Sequence, residues 1–213
     1  MSDPANDVSH GTKLRLAIAG LGLVGLRHAD AMASVPNADL VAVVDQSAAA
    51  AHQAEARSVP LFPSLTEMLA KTQPDGVILS TPTRLHVEQA LECIRAGIPV
   101  LVEKPLSDDL NAAYALVETA KSAGVPVLVG HHRRHNPLIQ NAKAMIAGGQ
   151  IGEVRAVHAT CWFYKPDHYF EQAPWRKLKG AGPILVNLVH DIDLIRYLCG
   201  EVVSVQAQAT QSR

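Results

Sequence analysis

The stretch LRLAIAGLGLVGLRH, residues 14–28, decides how this chain is read. Leu14–Gly20 is an apolar run of strand length, and the segment from beyond Gly22 to about Ser34 has the length of a helix. Between them stands Gly20-Leu21-Gly22-Leu23-Val24-Gly25. A G-x-G-x-x-G match alone is weak; one wedged between a strand and a helix carries a mechanism. The first glycine allows the tight turn, the second lets the backbone approach a pyrophosphate, and the third permits close helix–sheet packing. A pyrophosphate would rest on the helix N-terminus, where unpaired N–H groups and the dipole favour negative charge. Gly20, Gly22, Leu23, Val24 and Gly25 are therefore candidate cofactor contacts. Asp45 closes the next apolar run, LVAVVD (40–45), at about the spacing expected of a carboxylate on the adenosine ribose. Gln46 and Ser47 follow it rather than Arg or Lys, which favours NAD while leaving NADP possible.

Outward from this motif, short apolar runs alternate with helix-length segments. LVAVVD, GVILS (76–80), PVLVE (99–103) and VPVLVG (125–130) read as further strands, making at least five buried ones with the first. Helices are expected through about Ala56, after the Ser64/Glu67 capping box, from Thr83 to Ile94 and from Asp108 to Ala123. That rhythm is a doubly wound parallel α/β sheet of the Rossmann kind, covered on both faces. The organisation expected is a flexible N-terminus (1–12), a dinucleotide-binding domain (13–130) and a second domain (131–213). In the second, Asn136-Pro137 starts a helix, Glu153–Trp162 and Val202–Thr210 look like strands, and Asp191–Leu198 is helical. Tyr164–Lys179 is an irregular, aromatic and charged loop of the length usually kept for function. Two strands and two helices are too few to close a sheet domain around its own core. A partial α+β substrate and oligomerisation domain, truncated from a longer protein, is expected rather than a small domain completed by a partner.

The bulk properties exclude several classes. The 213 residues are 48% hydrophobic and 18% charged, with a formal net charge of -1, so neither nucleic acid nor an anionic membrane is called for. No apolar run approaches the roughly 20 residues of a membrane span. MSDPANDVSHGT at the start has no apolar core of a secretory signal. Cys93, Cys161 and Cys199 are scattered, odd in number and without a CxxC pair, which fits a reducing cytoplasm. Cys161 and Cys199 read as buried small hydrophobes.

Two short motifs stand at the carboxyl ends of strands, where such sheets hold ligands. Thr81 in Ser80-Thr81-Pro82-Thr83 can offer a hydroxyl to a cofactor while Pro82 shapes the turn; Thr83 can equally cap the next helix. In Glu103-Lys104-Pro105, the lysine can hydrogen-bond a substrate hydroxyl and favour a developing alkoxide.

The order of AIAGLGLVGLRH, VVD, STPTRLHVEQALECIRAGIPVLVEKP, GHHRRHNP and HDIDLIRYL resembles the glucose–fructose oxidoreductase, inositol dehydrogenase and rhizopine-catabolism (Gfo/Idh/MocA) family, from about Leu14 to Thr210. The resemblance implies an NAD(P)-dependent dehydrogenase acting on a secondary alcohol of a sugar, cyclitol or related polyol. It implies a homo-oligomer, a dimer or tetramer, for the full-length protein. It assigns Lys104 as the active-site lysine, with a cis bond to Pro105, and Glu103 as an acid beside the nicotinamide end. His86 falls close to the cofactor, and Thr81 and Pro82 on its adenine–ribose side. His190 matches the histidine beside the substrate hydroxyl, and Asp193 the acid one helical turn later.

His190 also makes sense by itself. At a helix start the dipole keeps an imidazole neutral and able to accept an alcohol proton. Asp191 or Asp193 would orient it or cap the helix. Many members of the family carry an aspartate four residues earlier, where this chain has Val186; the neighbouring Asn187 can orient a hydroxyl but cannot exchange a proton as a carboxylate does. A catalytically silent NAD(P)-binding regulatory or interaction protein is the alternative. Arg133 or Arg134, in His131-His132-Arg133-Arg134-His135-Asn136, can meet an anionic group on a substrate, or be solvated. Trp175-Arg176 resembles a family segment that reaches the substrate, and Trp162, Tyr164 or Trp175 can stack on a sugar ring. The adjacent histidines point in divergent directions with no acid or cysteine at useful spacing, so no metal is expected.

Overall fold

The computed structural model describes residues 13–172, 174–178, 181–182 and 184–208. The expected flexible N-terminus lies outside them. The chain separates into two compact units, Met1–Gly130 and His131–Arg213.

The first unit is a six-stranded sheet. In chain order it runs β1 (Leu14–Ala19), α1 (Leu23–Met32), β2 (Ala38–Val44), α2 (Ala48–Ala56), β3 (Leu61–Phe62) and α3 (Leu65–Thr72), then β4 (Gly76–Leu79), α4 (His86–Arg95), β5 (Val100–Val102), α5 (Leu110–Ala123) and β6 (Val127–Val129). The strands lie in the order β3-β2-β1-β4-β5-β6, every pair parallel. The chain reverses direction across the sheet between β1 and β4, the place where doubly wound sheets open a ligand crevice.

Period-two alternation divides the core. Ala17 and Ala19 face one side with Ala42, Val44, Val77, Leu79, Val100 and Val102, against residues of α3, α4 and α5 such as Met68, Cys93 and Leu116. Ile18 and Val43 face the other, against Ala29 and Met32 of α1 and Ala50 and Ala54 of α2. Helix starts follow local chemistry. Ser47, Ser64 and Asp109 each accept a backbone N–H three residues on. The Ser64 box closes on one side only, because the Glu67 carboxylate turns to Lys71.

The sheet holds one strand beyond the five named from the sequence, and one of those five is less buried than expected. β3 was not anticipated, since two residues between Pro60 and Pro63 carry too little periodicity to read. β6 is an edge strand and is not wholly buried; Leu128 is 61% exposed.

The second unit contains α6 (Pro137–Ala147), α7 (Asp167–Glu171) and α8 (Val189–Cys199). Asn136 caps α6 through its side chain, with Pro137 in the first turn. Neither Glu153–Trp162 nor Val202–Gln208 forms a strand, against expectation. Alternation marks which face of a segment is apolar, whereas a strand also needs a ladder partner, and among the described residues of this unit there is none. The segment expected to be irregular holds α7 and a 3-10 turn, Pro174–Lys177. A π-helical turn, Ile184–Leu188, runs directly into α8. Cys199, at the last turn of α8, is exposed and Cys161 half-buried, so neither is the buried thiol expected. Cys93 is buried, and desolvation pushes its thiol up to about 12. No described helix is long and apolar enough to cross a membrane.

Candidate functional site

At the carboxyl edge of β1 the three glycines have three different reasons to be glycine. Gly20 has φ +88°, and a Cβ there would stand 2.7 Å from the Ser80 carbonyl and the Thr81 nitrogen. A Cβ on Gly25 would stand 1.9 Å from the Gly20 carbonyl oxygen. A Cβ on Gly22 would meet no protein atom within 4 Å. Packing of the chain therefore accounts for the outer two glycines but not the middle one. Gly22 opens α1 with no side-chain cap, unlike α2, α3 and α5, and the first turn of α1 carries no acid. Leu23 and Val24 lie in that first turn, exposed.

The turn is braced from two neighbours. The Ser80 hydroxyl donates to the carbonyls of Gly20 (2.7 Å) and Ala19 (3.1 Å). Asp45 accepts the Leu21 N–H at 2.7 Å through one oxygen and the Ser47 N–H at 2.8 Å through the other. Burial alone would raise the Asp45 carboxyl, but those N–H bonds outweigh it and hold the group below its ordinary range. Ser80 was not singled out from the sequence; its place one residue beyond β4, the neighbour of β1, was the available signal.

At the ends of β4 and β5 the side chains engage one another. The Thr81 hydroxyl donates to Gln89 at 2.6 Å, so its proton is already committed within the protein. Pro82 precedes a 3-10 turn, Thr83–Leu85. His86 is 1% exposed, with Nδ1 2.9 Å from the Pro105 carbonyl and Nε2 2.8 Å from the Thr81 carbonyl, so both ring nitrogens face backbone carbonyls of the first unit. Lys104–Pro105 is cis. Glu103, 8% exposed, accepts from His28 Nε2 at 2.8 Å and from the Lys104 N–H at 3.2 Å. Desolvation would raise its carboxyl; the His28 hydrogen bond and charge, with Lys104, more than offset this and hold it low.

In the second unit the His-Arg cluster folds as a 3-10 turn, His132–His135, against α8. Arg133 donates to Asp191 at 2.8 Å. Arg134 grips Asp193 with a fork, Nε to Oδ2 at 2.9 Å and Nη2 to Oδ1 at 2.6 Å, while its guanidinium lies 5.2 Å from the centre of the Tyr197 ring. Neither arginine is simply solvated, and Asp191 and Asp193 serve these arginines. The His190 ring meets His132 edge-on, centroids 5.0 Å apart, a neighbour the sequence did not suggest. His190 is the second residue of α8, near a helix start as expected, but the π-helical turn Ile184–Leu188 runs directly into it, which moves the free N–H end of the helix away from His190. Asn187 lies within that π-helical turn. Arg176 donates to the Tyr169 carbonyl at 2.6 Å and lies over its ring, so it is held inside its own loop. Trp175 belongs to the 3-10 turn, and its side chain lies outside the described residues.

Arg134 offers a stability test. Asp193 is 5% exposed, so Arg134→Ala leaves a buried carboxylate without its fork. The expected cost is on the order of 2 kcal/mol, below the about 3–5 kcal/mol of fully buried pairs because Arg134 keeps substantial solvent contact. Burial raises the Asp193 carboxyl, but the Arg134 bond and the charges of His131, Arg134 and Arg196 hold it below 3.8. A depressed carboxylate stabilises fully above its unfolded value near pH 4 and loses that contribution as pH falls through the folded one. Thermal melts should therefore show the largest gap between wild type and Arg134→Ala above about pH 4, narrowing below it.

The family model described as "Oxidoreductase family, NAD-binding Rossmann fold" (GFO_IDH_MocA) matches residues 14–131. The chain belongs to this family. A second model, the GFO/IDH/MocA C-terminal domain, matches residues 139–213. Among curated members, the chain is 34% identical over 200 residues to scyllo-inositol 2-dehydrogenase (NAD(+)) of Bacillus subtilis, covering 91% of this chain and 56% of that protein. It is 30% identical over 209 residues to 4-carboxy-2-hydroxymuconate-6-semialdehyde dehydrogenase of a Sphingobium species, covering 93% and 62%. Among solved members, the WlbA dehydrogenase from Bordetella pertussis in complex with NADH and UDP-GlcNAcA superposes with a TM-score of 0.84 at 30% identity, over 89% of this chain and 56% of that one. The chain thus spans little more than half the length of these relatives.

Proposed function

We propose that this member of the family is an NAD-dependent dehydrogenase that oxidises a secondary alcohol of a sugar, cyclitol or related polyol, or reduces the matching ketone. The observation that carries this is Gly22. No protein atom needs the missing Cβ, while the first turn of α1 presents its N–H groups where a diphosphate would lie. Gly20, Leu23, Val24 and Gly25 shape that seat. The ionised Asp45 favours ribose hydroxyls and disfavours a 2′-phosphate, which supports NAD over NADP. Two of the three relatives' names support this, scyllo-inositol 2-dehydrogenase (NAD(+)) and the dehydrogenase in complex with NADH and UDP-GlcNAcA, whereas the third names a semialdehyde.

Oxidation of a CH–OH group removes a hydride from carbon and a proton from oxygen. NAD supplies the hydride acceptor when bound. In the first unit, Lys104 is the proposed donor to the alcohol oxygen, steadying negative charge as it develops. In the second, His190 is the proposed proton acceptor, with Asn187 orienting a substrate hydroxyl. Arg133 and Arg176, both already paired, are proposed to shape the second unit's surface more than to bind charge directly. We also propose that the whole protein self-associates in the cytoplasm. The exposed Trp162, Tyr164, Val203 and Val205 support a covering partner.

The test follows reduced-nicotinamide absorbance, with NAD and NADP separately, against polyols, aldoses, cyclitols and dihydrodiols. One substrate class should reduce NAD, and Lys104→Ala and His190→Ala should each slow that signal by about a hundredfold or more. Tight NADH binding with no turnover on any class would overturn the dehydrogenase in favour of a silent binding protein.

A further inference from the structure

We infer that His28 and His86 are positioning residues that clamp Lys104 through its two chain neighbours, one from each face of the sheet. His28 stands on α1, which packs on one face, and its Nε2 donates to Glu103 Oε1 at 2.8 Å. The other carboxylate oxygen of Glu103 accepts the Lys104 N–H. His86 opens α4 on the opposite face and holds the Pro105 carbonyl through Nδ1, at 2.9 Å, while Nε2 faces the Thr81 carbonyl. Glu103 and Pro105 are thus both tied down, and Lys104 is the residue between them.

The surroundings are built to the same end. Glu103 is nearly buried yet charged, a costly state unless its partners are fixed. Gly130, at the end of β6, leaves room for the carboxylate where it stands: a Cβ there would lie 2.9 Å from Glu103 Oε1 and push the side chain aside. A histidine serves on α1 because its ring N–H reaches the carboxylate without adding a flexible charged stem. Since α1 is also the helix whose first turn would hold the diphosphate, the couple joins the proposed cofactor seat to the lysine turn.

The consequence for turnover rests on the dehydrogenase reading above, whereas the clamp can be measured without it. His28→Leu removes the donor and His28→Gln keeps an N–H. Amide hydrogen exchange at Lys104 should accelerate about tenfold in the leucine variant and return towards wild type in the glutamine variant, the size expected for one lost hydrogen bond. With whichever substrate class reduces NAD in the screen, His28→Leu should lower kcat by about tenfold to a hundredfold and leave KM for NAD within about twofold, because the lysine is displaced rather than removed. His86→Asn, at a wholly buried position, also lowers the melting temperature, so the His28 pair decides. Unchanged Lys104 exchange in His28→Leu, or a glutamine variant as impaired as the leucine one, overturns the clamp. If wild type binds no NADH, the dehydrogenase reading falls while the exchange result still decides the clamp.

Discussion

Gly25→Ala is expected to abolish NADH binding and to destabilise the first unit by about 3 kcal/mol, the upper range for forcing a methyl into packed structure. The added Cβ would fall 1.9 Å from the Gly20 carbonyl oxygen and 2.8 Å from Ser80 Oγ. The first of these is backbone in a turn already fixed by φ +88° at Gly20 and by the Ser80 hydroxyl, so the helix would have to lift from the sheet. Gly22→Ala provides the contrast. It meets nothing in the protein, so urea denaturation should place it within about 1 kcal/mol of wild type, the scale of a cap substitution. Its NADH affinity should nevertheless drop by at least about tenfold, because the methyl occupies the approach to the first turn. Should Gly22→Ala bind NADH as wild type does, the diphosphate is not seated on α1.

Lys104→Ala should leave a folded chain that binds NADH within a few-fold of wild type and turns over about a hundred- to a thousandfold more slowly, the usual loss on deleting a donor to a developing oxyanion. The separation follows from placement: Lys104 stands beyond β5, whereas the glycine turn and Asp45 stand beyond β1 and β2. A fluorescence titration and a rate measured at saturating NAD separate the two effects. Loss of NADH binding together with turnover would make Lys104 a cofactor ligand rather than a group acting on substrate.

The doubly wound sheet was legible because its signals are local. Each strand's apolar run lies within a few residues, and Ser64, Asp109 and Asn136 announce helix starts from side-chain chemistry alone. The glycine turn was legible for the same reason. What could not be read were pairings across long separations. His28 lies 75 residues from Glu103, Arg133 lies 58 from Asp191, and Arg134 lies 59 from Asp193. Each partner taken singly looks like an ordinary surface group, so both arginines were available in principle for substrate and both acids for His190. The π-helical turn was invisible because nothing in the side chains of Ile184–Leu188 distinguishes one helical hydrogen-bond spacing from the other. At Val202–Thr210 the alternation was real, but a pattern of faces says nothing about who supplies the ladder.

Asp45 has a consequence for anyone redesigning the protein's choice of coenzyme. Replacing it with a small or basic side chain, to admit a phosphate on the ribose, would also remove the acceptor of the Leu21 and Ser47 N–H groups. The glycine turn would then loosen as its selectivity changed. A coenzyme swap at this position is a two-part redesign, in which a second substitution has to restore the anchor that the first one takes away.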